Sequence, residues 1–316
     1  MKIIEPKVEF MTPIDGDSIL KHLEQCGRVC YKSEGKIEDG SAEKFIANII
    51  KRGHEAVLEH GTFILEVDEG FYTETQQRIN EFEETFGFKS FLRFTNDTRP
   101  IISGNVRAWR DFFKVVKRNS ILFPHSCEDL IRGNPILFPE FQNEVFNKSH
   151  SDSRVISVSD LQTENEKLTH WDKTVKFICD RGVSHEIVRH RMASYCQEST
   201  RYCNYSKDDF NNEITVIKPC FLKEGTQGYR FWEAACILVE TAYFDLLEWG
   251  CTPQEARAVL PNSLKTEVVM TNNIRGWWHF FRLRDSSAAH PQMREVANML
   301  LAKCKESIPV LFDDIG

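Results

Sequence analysis

From Arg189 to Tyr202 the chain reads RHRMASYCQESTRY, placing three arginines, a histidine, the hydroxyls of Ser194, Ser199 and Thr200, and one carboxylate in fourteen residues. Arginine is always charged, and its planar fork of donors matches phosphate and carboxylate oxygens two at a time. Clustered with serine and threonine, it forms an oxyanion-binding surface, and the guest this chemistry selects is a phosphate. On a helix Arg189 and Arg191 would project roughly 200° apart, whereas in extended chain they share a face. If both grip one ligand, a helix before them must end near Arg189. Gln197, Ser199 and Arg201 alternate by two, so an extended loop presents an amide, a hydroxyl and a guanidinium on one side, a set that suits a nucleotide. Glu198 then faces the other way.

The elements that position these groups mix helix and strand. Alternation from Lys2 to Met11 predicts a strand, and Ile19, Leu20 and Leu23 within Asp17 to Cys26 fall at helical spacing. Ser41 is placed to cap a helix over Ala42 to Arg52 that Gly53 ends. Thr62 to Val67 and Ser90 to Thr95 read as strands, and Asn105 to Lys117, with Trp109, Phe112, Phe113 and Val116, as an amphipathic helix. A polar, irregular segment at about 117–169 reads as an insertion on the main fold. Beyond it come a strand at Lys173 to Cys179, a helix from Val183 to about His190, a strand at Ile214 to Pro219 and a helix from Gly228 to Trp249. Thr252 and Pro253 open a further helix, and Thr266 to Thr271 is a strand. Helices over Ile274 to Leu283 and Pro291 to Ser307 complete the pattern. The expectation is an α/β (α+β) fold, a single mixed domain over 1–316 with a central sheet flanked by helices.

Composition narrows the function classes. The 316 residues are 41% hydrophobic, enough for a substantial core, and 40 Lys+Arg against 47 Asp+Glu give a net charge of −7. That balance argues against nucleic acid or an anionic membrane as partner, and makes the basic cluster local. No stretch reaches the roughly 20 apolar residues of a membrane helix, and MKIIEPKVEF lacks the apolar core of a secretion signal, so a cytoplasmic protein is expected. The ten cysteines run from Cys26 to Cys304 without a CxxC pair, which reads as reduced thiols and no metal site. In SHEIVRHR the histidines are five apart, unlike the pair of a zinc protease helix. Neither G-x-G-x-x-G nor G-x-x-x-x-G-K-[ST] occurs, so a dinucleotide would be held by side chains from several segments.

The arginine segment resembles the signature RHRxxSxNExSxRY of the flavin-dependent thymidylate synthases (the ThyX family), agreeing at Arg189, His190, Arg191, Ser194, Ser199, Arg201 and Tyr202. Cys196 and Gln197 stand where the pattern has Asn and Glu. GHEAVLEHGTF from Gly53, GRVCYKSE from Gly27, DRGVSHEIV before the signature, EARAVLPNS from Glu255 and TNNIRGWWHFFRLR from Thr271 resemble further blocks of that family, in order. The resemblance covers roughly 20–65, 90–115 and 170–300.

It implies that Cys30, His60, Thr62, Arg189, His190, Arg191, Asn273, Arg275, His279 and His290 contact FAD. Glu186, Gln197, Ser199, Arg201, Arg257 and Arg284 would bind dUMP, with Arg257 given to a neighbouring subunit's nucleotide and Tyr202 near the folate. Ser199 and Arg201 would be catalytic. Gln197 keeps a hydrogen-bonding oxygen but lacks the charge of a general base. The implied activity is reductive methylation of dUMP to dTMP, with 5,10-methylenetetrahydrofolate as methylene donor and NADPH reducing FAD, in a homotetramer whose active sites lie at subunit interfaces. Two other readings are a flavin-independent folate-dependent pyrimidine methyltransferase with Cys220 or Cys196 as nucleophile, and a non-enzymatic protein binding phosphorylated ligands or RNA.

Overall fold

The computed structural model describes residues 1–11, 19–86, 91–118, 123–147, 153–201, 203–206, 212–313 and 315. The expectations placed on Asp17, Ser90 and Tyr202 lie outside these residues. The strands are β1 (Lys2–Ile4), β2 (Lys7–Met11), β3 (Thr62–Glu66), β4 (Arg93–Asn96), β5 (Pro100–Asn105), β6 (Phe123–Pro124), β7 (Phe146–Asn147), β8 (Arg154–Ile156), β9 (Asp172–Asp180), β10 (Ser194–Gln197), β11 (Thr215–Ile217) and β12 (Lys265–Asn273). The helices are α1 (Ile19–Tyr31), α2 (Ser41–Lys51), α3 (Glu69–Phe86), α4 (Val106–Arg118), α5 (Glu128–Gly133), α6 (Glu164–His170), α7 (Arg181–Ile187), α8 (Gln227–Glu248), α9 (Pro253–Ala256), α10 (Ile274–Arg284), α11 (Pro291–Ser307) and α12 (Pro309–Phe312).

The mixed helix-and-strand fold is observed, with its strands divided mainly between two four-stranded antiparallel sheets, β10-β12-β9-β2 and β4-β5-β3-β8. The first carries the middle of the arginine signature, since Ser194 to Gln197 pair with Thr271 to Val268. Both its faces are covered. Along β12, Val268 and Met270 join α10 and α11 in one core with Phe177, Trp277 and Phe280, while Val269 joins Cys196, Leu23 and Trp109 in another. That alternation follows from the pleat, in which successive side chains point to opposite faces.

Several local expectations are corrected. Lys2 to Met11 is two strands rather than one: β1 pairs parallel with β11 and β2 antiparallel with β9. Pro6 lies between them, and proline has no N–H for a ladder. Ser41 is the first residue of α2 rather than its cap, which is Gly40 at φ +75°. Its hydroxyl instead donates to buried Glu24 and accepts from the Glu38 amide. Gly53, at φ +70°, ends α2 as expected. The sequence reading missed α3, which carries charged residues along its length.

The described residues of the segment at about 117–169 pack around aromatics. Phe123, Phe138 and Phe141 are buried against Phe113 of α4, Phe146 is buried against Phe123, and β8 joins β3 at the sheet edge. Arg110, buried in α4, donates to Glu140 at 2.5 Å and to Glu55 at 3.2 Å, tying that segment to the body. Among the described residues no helix is long and apolar enough to cross a membrane. All ten cysteines carry free thiols.

Candidate functional site

Where the two sheets meet, a cavity of about 740 Å³ opens. On one side α7 is capped by Asp180, whose carboxylate accepts from the Val183 amide, and stops at Ile187, so Arg189 and Arg191 both reach the cavity from the turn. The helix end inferred from their spacing is where the structure has it. From β12 the chain enters α10 through Asn273, whose side chain accepts from the Gly276 amide. One turn apart on that helix, Arg275 and His279 line the cavity, while Trp277, Phe280 and Phe281 are buried behind them.

Arg284, at the end of α10, holds these parts together. Its Nε donates to His190 Nε2 at 3.0 Å, Nη1 to Glu186 Oε2 at 2.8 Å and Nη2 to the Glu186 carbonyl at 2.9 Å. His190 therefore presents an unprotonated Nε2. Burial first, then the charges of Arg284 and His279, push it down to about 4, so it is a neutral ring at physiological pH.

A second wall comes from the other sheet. Arg93 of β4 donates to both oxygens of Asp172 at 2.5 and 2.7 Å, and Thr62 of β3 donates to the same carboxylate. Phe91, Leu92, Arg93, Asn105 and Asp172 line the cavity, and sequence reasoning assigned a role to none of them. A charged residue facing inward from an apolar strand is the one signal that could have marked Arg93. Deeper, His60 Nδ1 lies 2.7 Å from the Thr271 hydroxyl, which lies 2.7 Å from that of Thr174. Burial, and next the neighbouring His22, push His60 down to about 3.

Of the residues mapped to a flavin, Arg189, His190, Arg191, Asn273, Arg275 and His279 converge on the cavity. His60 sits behind Thr271, and Thr62 is beside Asp172. Cys30 is at the end of α1 against Cys196, whose hydrogen bond holds the Cys30 thiol below the ordinary thiol range. The same contact, with burial, pushes Cys196 up. His290 is not brought to the cavity: it caps α11 with its ring 6.0 Å from that of Phe221.

Of the residues mapped to a nucleotide, Gln197, Ser199 and Arg201 lie at the end of β10 and just beyond it. Glu186 and Arg284 are paired at the cavity, while Gln197 donates to Ser184 and Thr266 at 3.0 and 3.2 Å. Ser199 donates its amide to the Cys30 carbonyl, and its hydroxyl accepts from the Arg201 amide. Arg257 reaches Thr200 of its own chain at 3.3 Å. Glu198 faces away as expected, buried against Lys265 at 2.8 Å.

The sequence model of the thymidylate synthase complementing protein family matches residues 17–79 and 161–310, more than half of the chain. A flavin-dependent thymidylate synthase of Pyrococcus horikoshii is 37% identical over 136 residues, covering 42% of this chain and 55% of that protein. One from Geobacter sulfurreducens is 35% identical over 136 residues, covering 43% and 57%. The chain thus matches about half the length of these curated relatives. A solved flavin-dependent thymidylate synthase of Helicobacter pylori, complexed with FAD and dUMP, is similar at 23% identity and a TM-score of 0.37, over 46% of this chain and 72% of that one. With the family match covering more than half of the chain, and its second stretch including the arginine turn, β12 and α10, the chain belongs to the thymidylate synthase complementing protein family.

Proposed function

We propose that the chain is a flavin-dependent thymidylate synthase that reductively methylates dUMP to dTMP, with FAD in the cavity and 5,10-methylenetetrahydrofolate and NADPH as co-substrates. The observation that carries this reading is the donor set around one cavity: Arg189, Arg191 and Arg275 with His190, Asn273 and His279. That set fits a flavin dinucleotide. Guanidinium forks match pyrophosphate oxygens, neutral imidazole and amide groups suit the edges of a heterocycle, and about 740 Å³ is within the range of small-molecule sites. FAD bound there would supply hydride chemistry that no side chain performs.

The chain's own residues do the rest by placement and charge. Ser199, Arg201 and Arg257 would hold the nucleotide and neutralise its phosphate and the negative charge that develops on the pyrimidine. Gln197, steadied by Ser184 and Thr266, orients without acting as a base. Glu186 fixes Arg284, and Arg284 holds His190 in its neutral form. A homotetramer and a cytoplasmic location belong to the same reading. In its support, α8 leaves Phe231 and Leu238 67% and 70% exposed, an apolar face that a second copy would cover.

The cysteine-nucleophile reading fares worse, because Cys196 is buried with its thiol pushed up, and partial burial, then Glu295, also push up Cys220. The test is to add FAD to the purified protein, record its visible spectrum, and assay dTMP formation from dUMP with the two co-substrates. A flavin spectrum and FAD-dependent product are expected. A protein that stays colourless and makes no dTMP defeats the reading.

A further inference from the structure

Residues 80–160 lie outside the family match, yet they deliver Phe91, Leu92, Arg93 and Asn105 to the cavity. We propose that Phe91 and Arg93 are ligand-contacting residues: Phe91 covers a flat ring of the bound flavin dinucleotide, and Arg93 donates to one of its oxygens. The proposal rests on the reading of the cavity as the FAD site.

Arg93 is built as a fixed donor. Both terminal nitrogens are held by Asp172, which also accepts from Thr62, so the guanidinium is oriented before any ligand arrives. Its remaining N–H groups are left for the cavity it lines. Preorganised donors of this kind lose little freedom on binding. Between the two proposed contacts, Leu92 is buried against Gly104, so closely that a Cβ there would lie 2.4 Å from Leu92 Cδ2. This packing fixes the short stretch of chain from which Phe91 and Arg93 project.

Phe91 has a different signature. It is 51% exposed, and two other large apolar side chains of the same cavity are also exposed, Met192 at 77% and Leu283 at 48%. They come from three separate segments: the approach to β4, the arginine signature and α10. Exposed apolar groups gathered at one cavity among arginines mark a site for a ligand with an apolar face and anionic groups, which describes a flavin dinucleotide.

The experiment titrates the full chain with FAD, following quenching of flavin fluorescence, for the unmodified protein and for F91A, F91W, R93Q and R275Q. Circular dichroism checks that each variant is folded; F91A changes an exposed side chain and so keeps the test valid if R93Q does not fold. F91A and R93Q are each expected to weaken FAD binding about tenfold, with F91W binding as the unmodified chain does and shifting the visible circular dichroism of the bound flavin. If F91A and R93Q bind FAD like the unmodified chain while R275Q is weakened, the proposal is overturned and the functional reading stands. If the unmodified chain does not bind FAD, both fall.

Discussion

Replacing Glu267 by Gln tests how the loop after β10 is held. Glu267 accepts from Lys32 Nζ at 2.5 Å and Lys265 Nζ at 2.6 Å, and its carbonyl accepts from the Glu198 amide at 2.9 Å. Burial alone would raise its carboxyl, but the charges of Lys265 and Lys32 hold it down to about 2, from an ordinary 4.5. At about 1.4 kcal/mol per pH unit between those values, the ionised group contributes about 3 kcal/mol to folding. A carboxylate whose pKa is lowered on folding contributes fully above its unfolded value and loses that contribution as pH falls through the folded one. E267Q should therefore unfold at lower urea, with a deficit of about 3 kcal/mol at pH 7. The gap to the unmodified chain should narrow below pH 4.5, by about 1 kcal/mol at pH 3.5. Tryptophan fluorescence in urea at the two pH values measures both. The variant should also loosen the backbone before Ser199, read as faster amide exchange at Glu198 and Ser199. A deficit below about 1 kcal/mol at pH 7, or one unchanged at pH 3.5, refutes the reasoning.

Buried His170 sits between the hydroxyls of Thr95 and Ser103 and is pushed down to about 3, first by burial and then by Arg93. Stability is therefore full above its ordinary 6.5 and lost as pH falls toward 3, so H170Q should show a smaller drop in Tm between pH 7 and pH 5 than the unmodified chain. In R284Q, His190 loses a positive neighbour, and its proton NMR titration should move to higher pH. No movement would show that burial and His279 set it without Arg284. C196A removes the hydrogen bond that lowers the Cys30 thiol, so iodoacetamide should label Cys30 more slowly by peptide mass spectrometry, with exposed Cys220 as internal reference.

What the sequence made legible was local. The turn at Arg189 and the helix that carries Arg275 and His279 follow from spacing within a few residues, and the structure places them on one cavity. The segment at about 117–169 was opaque because Phe123, Phe138, Phe141 and Phe146 are scattered among polar residues without period, and their burial depends on α4. Arg93 and Asp172 stand 79 residues apart, and Thr62 and Asp172 110 apart. Nothing in periodicity or capping encodes such pairings, so the partners that build the second wall had no sequence signature. α3 escaped because its charges hide the apolar stripe that would announce a helix.

The contact between Thr62 and Asp172 has a consequence for how this chain assembles. The chain between them leaves from and returns to one point, and Arg93, from within that stretch, is tied to the same carboxylate. The cavity lies at that closure, with β9 and the arginine turn contributed by residues made long after β3. Neither half of the wall exists alone, and closing so long a loop is a late, non-local event in folding. A ligand that bridges the closure binds only the finished fold, and by mass action it will raise the chain's resistance to unfolding at the joint where the two sheets part.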